Sequence, residues 1–135
     1  MSRLFRKLGK TLSVSTFLLL GAPMLAHAFD IDIQVSPNVL NIQSEGNVVT
    51  VHTDISYGSV DVYTVFLNSV PINTWKADDR GNFVAKFLMG EVKLLDGLII
   101  GDYNTLKLIG DTWSGEAFSG EDDIKVLNNL PANGR

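Results

Sequence analysis

From residue 29 onward, apolar and polar positions alternate along the chain in short runs. Phe29, Ile31, Ile33 and Val35 fall on one side of an extended backbone, with Asp30, Asp32 and Gln34 on the other. That period of two is the signature of a half-buried strand. Ser36-Pro37-Asn38 then reads as a turn, and residues 39–42 as a second, shorter strand closed by Ser44, Glu45, Gly46 and Asn47. Residues 48–55 are rich in β-branched side chains, with Val49, Val51 and Ile55 facing one way. Tyr57-Gly58-Ser59 punctuates them, and residues 63–67 form the next apolar run. Pro71 confines the segment around residues 72–76 to a short or edge strand. A turn at residues 78–81 precedes a strand over 82–88, in which Phe83, Ala85 and Phe87 share a face.

The period changes after Met89. Val92, Leu95 and Leu98 lie three apart, Glu91 sits in the first turn and Gly97 near the end, which predicts one short helix over residues 91–97. Two further alternating stretches, Leu106/Leu108 and Ile124/Val126, flank glycines at 110, 115 and 120. The spacing predicts a β-hairpin whose glycines supply positive φ. Seven to eight strands with turns between them and one small helix predict an all-β fold, an antiparallel β-sandwich formed as a single domain over residues 29–127. Residues 128–135 read as a flexible tail.

Residues 1–28 stand apart from this pattern. Arg3, Arg6, Lys7 and Lys10 precede an apolar run from Leu12 to Leu20, Gly21 and Pro23 break it, and Ala26-His27-Ala28 ends it. Charged head, short apolar middle and small-x-small terminus are the parts of a cleaved signal peptide, and the apolar stretch is short for a membrane span. The expected address is the periplasm or the medium. Cleavage would also change the charge. Of the 11 bases, four lie in the leader and all 15 acids lie beyond it, so seven bases remain and the net charge moves from −4 to −8. Such a surface disfavours nucleic acid and anionic lipid, whose binding needs clustered Lys and Arg. With no cysteine in the chain, neither a disulfide framework nor a lipid-modified cysteine is available.

Three stretches resemble a known group. Ser36-Pro-Asn-Val-Leu-Asn-Ile-Gln-Ser-Glu-Gly46 with Val49-Thr-Val51 resembles an S-P-x-x-L-N-x-x-S-x-G-x-x-V-T-V pattern. The run Asp61-Val-Tyr-Thr-Val-Phe-Leu-Asn68 is similar to D-V-x-T-V-x-L-N, followed by a V-K-F-like Ala85-Lys86-Phe87. The closing Gly115-Glu-Ala-Phe-Ser-Gly-Glu-Asp-Asp-Ile-Lys-Val126 is similar to G-x-x-F-x-G-x-D-x-I-x-V. In order and spacing these resemble small immunoglobulin-like β-sandwich modules of exported prokaryotic proteins. The resemblance implies a fold and an exported setting. It brings no catalytic residue, because the group has no shared activity.

Chemistry-bearing residues are sparse. His52 is the one histidine beyond the leader, and it shares a strand face with Asp54. Ser44, Ser56 and Ser59 are near in sequence, but no G-x-S-x-G elbow accompanies them. A solvent-facing strand histidine is the simpler reading, and one histidine without cysteine cannot complete a zinc shell. Neither a P-loop nor G-x-G-x-x-G occurs. The acids Asp78/Asp79 and Glu121/Asp122/Asp123 fall where turns are expected. They could offer oxygens to calcium, although the D-x-[DN]-x-[DN]-G loop is missing, so no cofactor is expected. Trp75, Trp113, Tyr57 and Tyr103 are the candidate ligand contacts, since coplanar exposed rings would make a sugar platform, whereas buried rings would simply fill the core. Phe29, Ile31, Ile33 and Val35 could instead be donated to a neighbouring subunit, building a surface fibre by strand addition. The expected role is a non-enzymatic binding or structural module whose partner is a protein or a glycan.

Overall fold

A computed structural model describes residues 28–129. The expected signal peptide, apart from Ala28, and most of the expected tail lie outside the described residues. Ten strands build two sheets: β1 (Phe29–Asp30), β2 (Ile33–Ser36), β3 (Val39–Asn41), β4 (Val48–Ser56), β5 (Val60–Leu67), β6 (Val70–Pro71), β7 (Thr74–Ala77), β8 (Asn82–Leu88), β9 (Tyr103–Thr112) and β10 (Ala117–Leu127). One sheet has the order β1-β10-β9-β5-β6, with β3 also paired to β10; the other has the order β2-β4-β8-β7. The inward side chains of both sheets form a single core that includes Val35, Val51, Phe83, Phe87, Leu106, Leu108, Phe118 and Ile124. The all-β sandwich expected from the alternation is therefore the fold observed.

The first predicted strand is not one strand. Residues 29–41 form a strap that runs beside β10 and changes sheets twice. β1 pairs with β10 in parallel (Phe29↔Phe118), β2 pairs with β4 antiparallel (Val35↔Val51), and β3 returns to β10 in parallel (Val39↔Lys125). The expectation of a purely antiparallel sandwich is corrected on this side, because the strap and the last strand run in the same direction. The break falls at Asp32, whose N–H donates to the Asp54 carboxylate at 3.0 Å. On the far side of the crossing, the Val35 N–H donates to Asp122 Oδ2 at 2.8 Å.

Two glycines make the strap and its neighbours fit. Gly110 and Gly120 were expected in the hairpin turn, but both lie inside strands, and only Gly115 (φ 91°) serves the turn. A Cβ on Gly120 would stand 2.7 Å from the Ile31 carbonyl oxygen, so the strap crosses β10 where there is no side chain. A Cβ on Gly110 would stand 2.6 Å from the ring of Phe118, its cross-strand partner. Both positions therefore answer to close approach rather than to backbone handedness.

The predicted helix is shorter than expected and begins earlier. α1 (Met89–Val92) makes one i→i+4 bond, Lys93 N–H to Met89 C=O. The next two bonds, from Leu94 to Glu91 and from Leu95 to Val92, span three residues. That tightening ends the helix before Gly97. A separate 3₁₀ turn, Tyr57–Ser59, joins β4 to β5.

Candidate functional site

The strand directions give the sandwich two unlike ends. At one end lie the N-terminal residue of β1 (Phe29), the Tyr57–Ser59 turn, the β7–β8 turn at residues 78–81 and the β9–β10 turn at residues 113–116. At the other lie α1, the connection over residues 93–102 and the start of β9 at Tyr103. The ten residues of β9 separate these ends by about 30 Å at ~3.3 Å per residue.

The first end carries a cleft of about 350 Å³ lined by Phe29, Ser59, Trp113, Ser114 and Glu116, together with Thr112 and buried Ile55. Trp113 is 65 % exposed, yet its backbone is braced. Its N–H donates to the Ser59 carbonyl at 3.0 Å, joining the β9–β10 turn to the β4–β5 turn. Within the turn, the Gly115 N–H donates to the Thr112 carbonyl (2.9 Å) and the Glu116 N–H to Thr112 Oγ1 (3.1 Å). The Thr112 and Ser114 hydroxyls lie 2.9 Å apart. Phe29 lies against Phe118 with ring centroids 6.2 Å apart. The cleft thus combines an exposed indole, a second ring, three hydroxyl side chains and one carboxylate, with no basic side chain among the lining residues.

The adjoining turns are ordered by the same kind of bond. The Tyr57 N–H donates to the Gly81 carbonyl at 2.9 Å. Asp78 Oδ1 accepts from the backbone N–H groups of Arg80 (2.8 Å) and Asn82 (2.9 Å). These bonds, that from Asn82 first, hold the Asp78 carboxyl below its ordinary range.

The four candidate aromatic contacts do not form one platform. Trp113 belongs to the cleft, and Tyr57 stands at the same end, 39 % exposed, with its ring 6.4 Å from that of Phe83. Tyr103 is at the opposite end, where Lys125 Nζ lies 5.7 Å from its ring centroid. Trp75 is on edge strand β7, opposite Ala85, and so shares the inner face with the core. Its indole meets Tyr63 of the other sheet edge-on at 6.1 Å, closing the open flank between β5 and β7. Trp75 and Trp113 are not coplanar neighbours, and the flank explains the former. Tyr63, 80 % exposed, was not singled out from the sequence, although a signal existed. Val60 and Val62 are separated from Val65 and Leu67 by an odd step, and the β5–β9 register shifts between Asp61 and Phe66. A bulge at that step carries Tyr63 outward.

The remaining candidates resolve by strand geometry. His52 and Asp54 are exposed on the outer face of β4. Glu121, Asp122 and Asp123 were expected in a turn but lie within β10. Alternation sends Asp122 toward the strap, while Asp123 accepts from the Thr105 hydroxyl on the outer face at 2.6 Å. The three carboxylates therefore do not converge, and no cluster of three metal-ligating side chains occurs among the described residues. Of the residues considered for donation, Ile31 and Val35 are buried in this chain's own core, Ile33 packs against it and Phe29 lines the cleft. No described helix is long and apolar enough to cross a membrane. Comparison with protein families, curated proteins and solved structures finds no match to the chain.

Proposed function

We propose that the chain is an exported, immunoglobulin-like module that works by contact rather than by chemistry, and that its contact surface is the Trp113 end. The strand orders β2-β4-β8-β7 and β10-β9-β5 support the immunoglobulin-like part of this reading, since they correspond to the A-B-E-D and G-F-C sheets of that architecture. The leader pattern of residues 1–28 supports export to the periplasm or cell surface.

One observation carries the contact role. An indole that is mostly solvent-exposed sits on a turn whose backbone is already fixed by four hydrogen bonds to or within its neighbours, counting that from Thr112 N–H to the Glu116 carbonyl. A large ring carried on a backbone that is already ordered has only its own two torsions to lose on engaging a partner, and Trp is enriched among the residues that dominate binding surfaces. The cleft beside it has a single carboxylate, so it lacks the paired acid and base that hydrolytic chemistry at carboxylates requires.

The test is affinity capture from the source cells with three forms of the exported chain: wild type, Trp113→Ala and Tyr103→Ala. The same partner recovered with wild type and Tyr103→Ala, and lost with Trp113→Ala, supports the proposal. Retention by all three forms places the contact elsewhere and ends this reading of the site.

A further inference from the structure

Resting on the contact role just proposed, we infer that the Trp113 cleft is a glycan site, taking one neutral sugar ring of a longer saccharide. The inference comes from what lines the cleft. A pyranose presents a face of C–H groups and a rim of hydroxyls, so it needs an aromatic plane beneath it and short polar groups around it. The exposed indole of Trp113 supplies the plane, and Phe29 adds a second apolar wall. Ser59, Thr112 and Ser114 lie along the lining, the last two with their hydroxyls paired, and Glu116 contributes a carboxylate able to accept hydrogen bonds from two hydroxyls at once.

The same lining disfavours the other ligand classes. Anions such as phosphates or acidic sugars would meet the Glu116 carboxylate and an acidic protein around it, offset only by the single α-ammonium that leader cleavage leaves on Phe29. A purely apolar ligand would strip water from Glu116 and the hydroxyls without replacing it. An organic cation would be drawn to Trp113 and Glu116, but it would make no use of the Ser59 hydroxyl or of the free lone pairs of the Thr112–Ser114 pair, and its binding would weaken with salt. Size points the same way. At about 350 Å³ the cleft is at the small end of the range for ligand sites, about 300–1,000 Å³, and its mouth is open to solvent. It suits one ring with the rest of the chain lying outside.

With two tryptophans in the chain and one in the cleft, a direct readout is available. In a Trp75→Phe background, Trp113 is the remaining indole of the described residues, and the closing contact with Tyr63 keeps an aromatic ring. The exported chain is screened on an array of immobilised neutral, amino and acidic oligosaccharides. Hits are then titrated in solution while Trp113 emission is followed. A saturable change in emission with a neutral glycan supports the inference when three further results accompany it. Trp113→Ala and Trp113→Phe lack the reporting indole and are titrated by calorimetry; Trp113→Ala should weaken the affinity by about tenfold or more, Glu116→Gln should weaken it less, and a rise in salt should leave it nearly unchanged. Trp113→Phe should restore part of the affinity by keeping a stacking face. Thermal unfolding of each variant is measured alongside, so that loss of fold is not mistaken for loss of binding.

Binding confined to amine-bearing probes and abolished by salt would overturn the glycan in favour of a cation. An array without a hit, beside a protein captured by wild type and lost with Trp113→Ala, would overturn the glycan while leaving the contact role standing. An array without a hit and capture unaffected by Trp113→Ala would remove both.

Discussion

The two ends of the sandwich are built from different materials. The Trp113 end is made of short turns, two of them bearing the rings of Tyr57 and Trp113 and each tied to another by a backbone bond, with Phe29 beside them at the start of β1. The opposite end is a longer connection bearing exposed aliphatic side chains, Leu94, Ile99 and Ile100. There one buried side chain adds to the two backbone bonds that tie Gly101 and Asp102 to Val126. Asn104 Oδ1 accepts from the Ile99 N–H at 2.7 Å, and its Nδ2 group donates to the carbonyls of Ile99 and Asp102, each at 3.0 Å. Lys93 Nζ adds a bond to the Ser44 carbonyl. At the first end backbone bonds, with the Asp78 and Thr112 side chains as added acceptors, brace the turns and leave the Trp113 indole exposed. At the second, side chains are used up in holding the loop.

The strap joins these ends, since β1 starts beside Phe118 and β3 finishes beside Leu127. Its crossing point is therefore where one substitution should damage both. Gly120→Ala places a methyl 2.7 Å from the Ile31 carbonyl and 2.7 Å from the Ile33 side chain. Main chain cannot swing aside as a flexible side chain can, so a loss of about 2–3 kcal/mol in urea unfolding is expected. Amide exchange should speed at both ends together. Faster exchange confined to β1 would show that the strap does not couple them.

Asn104→Ala tests the second end alone. Removing the carboxamide strands the N–H and carbonyl of Ile99 and leaves the Asp102 carbonyl with the Val126 N–H alone, and a cost of about 2 kcal/mol follows if water replaces the lost bonds only in part. Exchange should accelerate over residues 97–103, while Trp113 emission and the exchange of residues 112–116 stay as in the wild type. A change at Trp113 would mean that the two ends are not independent.

Much of this contrast was legible in the pattern of residues, and the places where it was not have physical causes. Alternation located β4, β8 and the inward faces of β9 and β10, because burial on one face of a sheet imposes period two directly. It could not reveal the change of sheet at Asp32. A strand lying at the seam keeps Ile31 and Val35 pointing inward whichever sheet it joins, so the pattern runs on without a fault. Gly110 and Gly120 were read as turn residues since a glycine letter does not distinguish positive φ from close approach; only the packing of Phe118 and the Ile31 carbonyl does. Trp113 could be named as a candidate from its type and turn context. Its association with Phe29 could not, because 84 residues separate them in the chain and the parallel β1–β10 pairing brings them together.

A smaller effect probes the flank between the ends. Tyr63→Ala removes the ring that meets Trp75 and should cost about 1 kcal/mol. Trp75 emission should shift to the red as water reaches the indole, with glycan or partner binding at Trp113 unchanged. Impaired binding in this variant would draw the flank into the contact surface and weaken the assignment of function to one end.

The smallest effect concerns the turn that completes the Trp113 end. Asp78 accepts from the Asn82 and Arg80 N–H groups, and these bonds lower its pKa from the ordinary value of 3.8. A carboxyl whose folded pKa is depressed stabilises the fold above its unfolded value and loses that contribution as pH falls through the folded one. The group is exposed, so solvent screens it and the effect on the whole molecule is slight. Asp78→Asn keeps an oxygen to accept the two N–H donors but cannot ionise. The melting temperature of the wild type should therefore exceed that of the variant by a small margin at neutral pH, with the margin closing below pH 3.8. Because Tyr57 leans on this turn through its bond to Gly81, the emission of Trp113 should also respond to acid in the wild type more than in the variant. A margin that stayed constant with pH would show that the turn's order owes nothing to the carboxylate charge, leaving the backbone bonds alone to brace the aromatic end.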